Sequence, residues 1–343
     1  MLSPRFRAQG RRPFGRRFRL LAVAAVAALV AAGCGSDEEG ASDAAGDANL
    51  AGQTVTVAGL WTGAEQANFQ QVLDEFSRRT GAATSYTSTG DNIAAVLGAR
   101  VQGGNPPDVA LLPQPGLLRD FAKQGALVAL PAEVRSEVED SFTEVWRDLG
   151  SVDGQLYGVF FKAANKSLMW NNTRLLEQAG VRQPETWPEL LQAARTIAAY
   201  GVAPVSIGGA DGWTLTDWFE NVYLRTAGPE RYDQLANRQL PWTDQSVKDA
   251  LARLAEMWGD PALVSGGAAT ALQTTFPESV VRVFADPPQA AIVFEGDFVA
   301  GVVASETNAT VGEEASYFTF PSIGGSPRSV VTAGDVAVMM RDT

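Results

Sequence analysis

Eight tryptophans, with carboxylates and lysines close to several of them, are the residues through which this 343-residue chain could hold a ligand. A polyhydroxylated ring has hydroxyls around its edge and weakly apolar faces. Aromatic platforms flanked by carboxylates, amides and lysines therefore suit it. Trp61 follows the alternating segment Thr54 to Leu60, where an open α/β sheet presents ligands at the ends of its strands. Packing over the sheet edge explains Trp61 equally. Glu65 can reach the same place, although Thr62 and Glu65 also have capping-box spacing. The stretch Gly208-Gly209-Ala210-Asp211-Gly212-Trp213 puts an aromatic after glycines that allow close approach of backbone to a ligand. Trp213 is the candidate platform there, while Trp218, one turn before Val222, reads as core.

The polar candidates each carry a competing role. Asp217 can bind hydroxyls or complete a cap three residues after Thr214. Asp91 precedes a helical pattern, where Asp is a common N-cap. Asp297, in Glu295-Gly296-Asp297-Phe298, stands between the same two roles. Lys162 and Asp335 can bond ligand or stitch domains together. Trp170, Trp187, Trp242 and Trp258 read as structural.

Several chemistries are excluded. The chain has no histidine and one cysteine, so it can form neither a Ser-His-Asp triad nor a zinc site of histidine and thiolate. No carboxylate spacing suggests a calcium loop, and no cofactor is implied. Pairs of Asp and Glu keep a secreted glycoside hydrolase as the alternative, but nothing in the sequence sets a carboxylate separation.

The first 33 residues hold seven arginines and no acid, and Leu20 to Ala32 is an unbroken apolar run. This is a secretory signal pattern, too short for a stable span. Its end, Ala31-Ala32-Gly33-Cys34, resembles a bacterial lipobox, with Ala31 where leucine is usual; it implies a lipid on Cys34. Arginine pairs leave the general and the twin-arginine export routes both open. Residues 34–52 are small, polar and acidic and read as a flexible tether. Beyond the leader, 20 basic residues face 39 acidic ones, which disfavours nucleic acid as a partner.

In the remaining 291 residues, strand and helix patterns alternate. Phe69, Val72, Leu73 and Phe76 predict a helix ending at Gly81, and Ile93, Val96, Leu97 and Val101 a second. Val109 to Leu112 predicts a strand, Leu117, Leu118 and Phe121 a further helix. Asp153-Gly154 predicts a tight turn. Thr186-Trp187-Pro188-Glu189 opens a helix, Val205 to Ile207 is a strand, and Val247, Leu251, Leu254 and Trp258 mark another helix. Ala290 to Phe294 and Tyr317 to Phe320 complete the strands. Strands apolar on both faces predict covered, largely parallel sheets.

The segments Phe76-Ser-Arg-Arg-Thr-Gly81, Gly103-Gly-Asn-Pro-Pro-Asp108-Val109, Gly116-Leu-Leu-Arg-Asp-Phe-Ala-Lys-Gln-Gly125, Tyr157-Gly-Val-Phe-Phe-Lys162, Leu168-Met-Trp-Asn171, Pro184-Glu-Thr-Trp187 and Gly334-Asp-Val-Ala337 resemble, in order and spacing, the extracellular solute-binding proteins of carbohydrate ABC importers. The resemblance implies an α/β, two-domain periplasmic-binding-protein fold of type II with the ligand in a cleft. The first domain would be 53–161 plus 334–343 and the second 162–333. It further implies a carbohydrate ligand, ABC transporter permease subunits as partners, a monomer anchored outside the cytoplasm, and no catalysis. In relatives the loops carrying Trp213 and Asp297 face the cleft. Relatives also continue beyond the point matching Thr343, so a missing C-terminal part is expected.

Overall fold

The computed structural model describes residues 49–341; Cys34, the leader and most of the tether lie outside the described residues. In chain order the strands are β1 (Thr54–Gly59), β2 (Ala83–Ser88), β3 (Val109–Leu112), β4 (Ser151–Val152), β5 (Gln155–Leu156), β6 (Gly158–Asn165), β7 (Leu168–Asn172), β8 (Ala203–Ser206), β9 (Ala290–Glu295), β10 (Ala315–Thr319) and β11 (Thr332–Met339). They form a sheet β2-β1-β3-β11-β6, a sheet β10-β7-β9-β8, and a β4-β5 hairpin. Asp153 and Gly154 turn that hairpin with φ of 51° and 76°, the left-handed pair that a tight two-residue turn requires.

Both sheets are mixed, which corrects the largely parallel expectation. β1 is parallel to β2 and β3, and β8 to β9, but β11 is antiparallel to β3 and β6, and β7 to β9 and β10. The chain leaves the first sheet along β6 and re-enters it along β11. Outgoing and returning strands lie side by side, so they must run in opposite directions.

Each sheet packs against a large apolar core. Leu97, Leu112, Leu118, Phe121, Phe160, Val336 and Val338 fill the first, while Met169, Trp187, Leu190, Val205, Trp218, Val222, Ile292 and Phe294 fill the second. Each such side chain contributes about 1.5–3 kcal/mol on leaving water. The helix Trp187–Tyr200 begins as expected: Thr186 Oγ accepts from Glu189 N and Glu189 Oε2 accepts from Thr186 N. The helix Gly63–Thr80 stops at Gly81, whose φ of 75° lets its N–H close onto Ser77 O.

Helical period located helices better than buried faces. Of the four apolar residues marking Gly63–Thr80, only Leu73 is fully buried, and Val72 is 60% exposed. Trp242, expected to be structural, is 64% exposed, although its ring still leans on Phe219.

β6 extends to Asn165, past the expected boundary at Phe161, because it remains paired with β11 as far as Thr332. The two connections to the second sheet are bonded to each other. Lys166 N donates to Val331 O at 2.9 Å, and Ser167 Oγ accepts from Val331 N while donating to Asn221 Oδ1 at 2.6 Å.

Candidate ligand-binding site

On the first-sheet side the site is built around Trp61. Pairing of β6 with β11 slips by one residue, so Asp335 opposes Lys162 and Val336 opposes Phe160, leaving Phe161 extra. Such a bulge breaks the alternation of side chains. Phe161 and Lys162 consequently both meet Trp61, the ring at 5.8 Å and the ammonium at 5.0 Å from the Trp61 ring centre. Phe69, from the helix Gly63–Thr80, packs edge-on against Trp61 at 5.3 Å. Lys162 Nζ lies 2.5 Å from Glu65 and 3.3 Å from Asp335. Burial alone would lower the Lys162 pKa, but the Glu65 hydrogen bond and both carboxylate charges outweigh it and hold the ammonium firmly charged.

On the other side Trp213 opens the helix Trp213–Ala227, after Gly212 with φ of 78°. The preceding glycines have a packing reason. A Cβ on Gly208 would come within 2.8 Å of Thr275 O and Phe276 Cα, and one on Gly209 within 3.0 Å of Ala271 O. They bring the loop before the helix Phe276–Phe284 against Trp213, so the glycines serve packing of loop on loop. Phe276 and Phe298 then stand 5.1 Å and 6.0 Å from the Trp213 ring.

Lys166, at the crossing between the sheets, enters beneath this aromatic group. Its ammonium lies 5.1 Å from the Trp213 ring centre, 5.9 Å from that of Phe298, and 2.8 Å from Asp217 Oδ2. Glu295, the last residue of β9, is only 1% exposed. Burial, and then the charge of Asp217, push its carboxyl well above the usual range. Burial and Asp217 likewise raise Glu220 to about 7, against the opposing pull of Lys166 and a bond from Tyr232. Burial raises the Asp335 pKa against the opposing charge and hydrogen bond of Lys162.

The structure sorts the sequence candidates. Trp61, Glu65, Lys162 and Asp335 come together, and so do Trp213 and Asp217. Glu65 is an ion-pair partner, not a cap: Thr62 makes no side-chain cap bond. Lys162 stitches elements within the first lobe, since both its carboxylates belong there. Asp217 is 5% exposed and engaged by Lys166, so it neither caps nor stands open to hydroxyls. Thr214, its expected capping partner, instead donates to Gly208 O. Asp91 caps nothing; it lies in the turn Gly90–Asn92, and burial followed by the charge of Asp211 from the other lobe raises its pKa. Asp297 is tied to the crossing, accepting from Asn165 N at 3.2 Å while its own N–H donates to Asn165 O.

Sequence reasoning missed Lys166, Phe161, Phe276 and Phe298. It quoted Glu295 but chose its neighbour Asp297. A signal for Glu295 was present: a lone acid ending the strand Ala-Ala-Ile-Val-Phe-Glu, where a buried charge needs a partner.

Two mixed α/β lobes joined by paired crossings, with aromatic and charged side chains meeting where the lobes face each other, define a periplasmic-binding-protein fold of type II. The chain belongs to the bacterial extracellular solute-binding protein family, whose model matches residues 61–343. It is similar to the osmoprotective compounds-binding protein GgtB of Synechocystis sp., 35% identical over 298 residues covering 84% of this chain and 69% of that one. It is also similar to the alpha-glucosides-binding periplasmic protein AglE of Rhizobium meliloti, 35% identical over 311 residues covering 86% and 67%. A solved chitin oligosaccharide binding protein shares the fold with a TM-score of 0.73 at 24% identity, over 84% of this chain and 72% of that chain. The chain thus spans about two thirds of the length of these two sequence relatives.

Proposed function

We propose that this protein captures a sugar or glycoside between its lobes and delivers it to the permease of an ABC importer, without transforming it. The observation that carries the reading is the aromatic group Trp213, Phe276 and Phe298 with an ion pair at its base, in register with what a hydroxylated ring needs. The two sequence relatives, named as binding osmoprotective compounds and alpha-glucosides, support the same class. The units that close on ligand are residues 53–165 with 332–341, and 166–331. The lipobox-like Ala31-Ala32-Gly33-Cys34 supports a lipid anchor that keeps the protein at the membrane outside the cytoplasm.

Titration calorimetry against a panel of α-glucosides, disaccharides and polyols tests this reading. Saturable binding of one class, accompanied by a smaller radius of gyration in solution scattering, is the expected result. Release of reducing ends from a bound glycoside would replace it with the hydrolase alternative.

A further inference from the structure

We propose that this cleft selects ligands by charge, taking neutral or amine-bearing glycosides and turning away uronic acids, and that its carboxylates enforce the choice by leaving no cation free. The inference rests on the sugar-binding reading above and adds the charge class of the ligand.

Among the described residues, the site contains two ammonium groups, and both are occupied. Lys162 is held by Glu65 and Asp335, and Lys166 by Asp217. A ligand carboxylate could reach either ammonium only beside a carboxylate that already faces it. Asp91 and Asp211 add one carboxylate to each side, and burial followed by the charge of Asp211 raises the Asp91 pKa. Carboxylates therefore outnumber ammonium groups on both sides of the site. An added anion meets like charge in a partly dry setting, where such repulsion is strongest.

The hydrogen-bonding groups of the wall need a ligand that both accepts and donates. Trp213 Nε1 is buried with no acceptor among the described residues. A complement to this wall supplies an acceptor for the indole and donors to carboxylates such as Glu65. Hydroxyls do both and an ammonium donates; a carboxylate donates nothing at neutral pH.

The test is competition calorimetry on the wild-type chain and on Glu65→Gln and Asp91→Asn. The best neutral glucoside of the panel serves as reporter, with D-glucose, D-glucosamine and D-glucuronate as matched competitors, at low and at high salt. The expected result is that glucuronate competes at least about tenfold more weakly than glucose, that glucosamine matches or exceeds glucose, and that added salt narrows the gap because it screens exposed charge. Glu65→Gln loosens the hold on Lys162 and should narrow the gap as well. Equal competition by glucuronate, or a gap that neither salt nor Glu65→Gln alters, overturns the inference while leaving a sugar-binding protein. Failure of every neutral sugar to bind overturns the sugar-binding reading and this inference with it.

Discussion

Lys166 Nζ lies 2.8 Å from Asp217 Oδ2, joining the crossing between the sheets to the helix that carries Trp213. Both side chains are largely out of water, with relative exposures of 19% and 7%. Burial alone would lower the lysine pKa, yet the charges of Asp217 and then Glu295 hold it above its usual value. The same backbone segment is bonded to Val331 and, through Asn221, to the helix Trp213–Ala227. One residue therefore connects hinge, helix and aromatic floor.

Removing that cation should be costly. Lys166→Met leaves Asp217 and Glu295 buried beside each other without compensation, and losing one partner of a buried pair typically costs about 3–5 kcal/mol. Urea denaturation should show that loss. Lys166→Met with Asp217→Asn removes both charges and should recover at least half of it. A single variant as stable as the wild type would show that the pair carries no such weight.

The sequence made the strands and most helices legible because they rest on local signals: alternation around Val55 and Val57, the capping box at Thr186 and Glu189, the turn at Asp153-Gly154. The site was legible only where a candidate stood next to such a signal, as Trp213 and Lys162 do. Lys166 and Glu295 lie 129 positions apart in the chain, and only the pairing of β7 with β9 brings the ends of their segments together. Phe161 turns toward Trp61 because of a bulge whose cause lies in the partner strand β11. No local period records either event. Capping was over-read for the same reason: Glu65 and Asp217 have cap spacing, but an ammonium supplied by a distant segment is a stronger partner than a backbone N–H.

Glu220 should give stability a pH dependence. Its carboxyl is raised from 4.5 to about 7, by burial and then by Asp217. Between those values the folded chain retains a proton that the unfolded chain has lost, so stability falls as pH rises from about 4.5 to about 7. Glu220→Gln stays neutral throughout. The variant should equal the wild type near the acid end of this window and exceed it above the window. Denaturation midpoints across the series decide it, and parallel profiles for the two proteins would remove Glu220 as a cause.

Anchoring is tested at Cys34. If a lipid on this thiol holds the protein at the membrane, Cys34→Ser should either move the protein into the soluble fraction or leave an uncleaved precursor. Fractionation with immunoblotting reads both results. Normal processing with an unchanged membrane fraction would sink the anchor.

Trp213 allows ligand contact and core packing to be separated. Its ring is half-buried against Phe276 and Phe298, and its Nε1 has no acceptor among the described residues. Trp213→Phe keeps an aromatic face and deletes the unpaired donor. The folded state loses nothing that was bonded, so the ligand-free melting temperature should hold or rise, since an unsatisfied buried donor costs about 1–3 kcal/mol. If the ligand supplies the missing acceptor, affinity should still fall, by about tenfold for one hydrogen bond. Trp213→Ala removes the platform as well and should weaken binding by about 1.5–3 kcal/mol, roughly ten- to hundredfold. A residue that only braced the core would behave in the opposite way: Trp213→Ala would cost about 3–5 kcal/mol of stability, and Trp213→Phe would leave affinity untouched. Calorimetry and ligand-free melting on the two variants therefore give four readings. Unchanged affinity in both, beside a collapsed melting temperature for Trp213→Ala, would remove Trp213 from the ligand site.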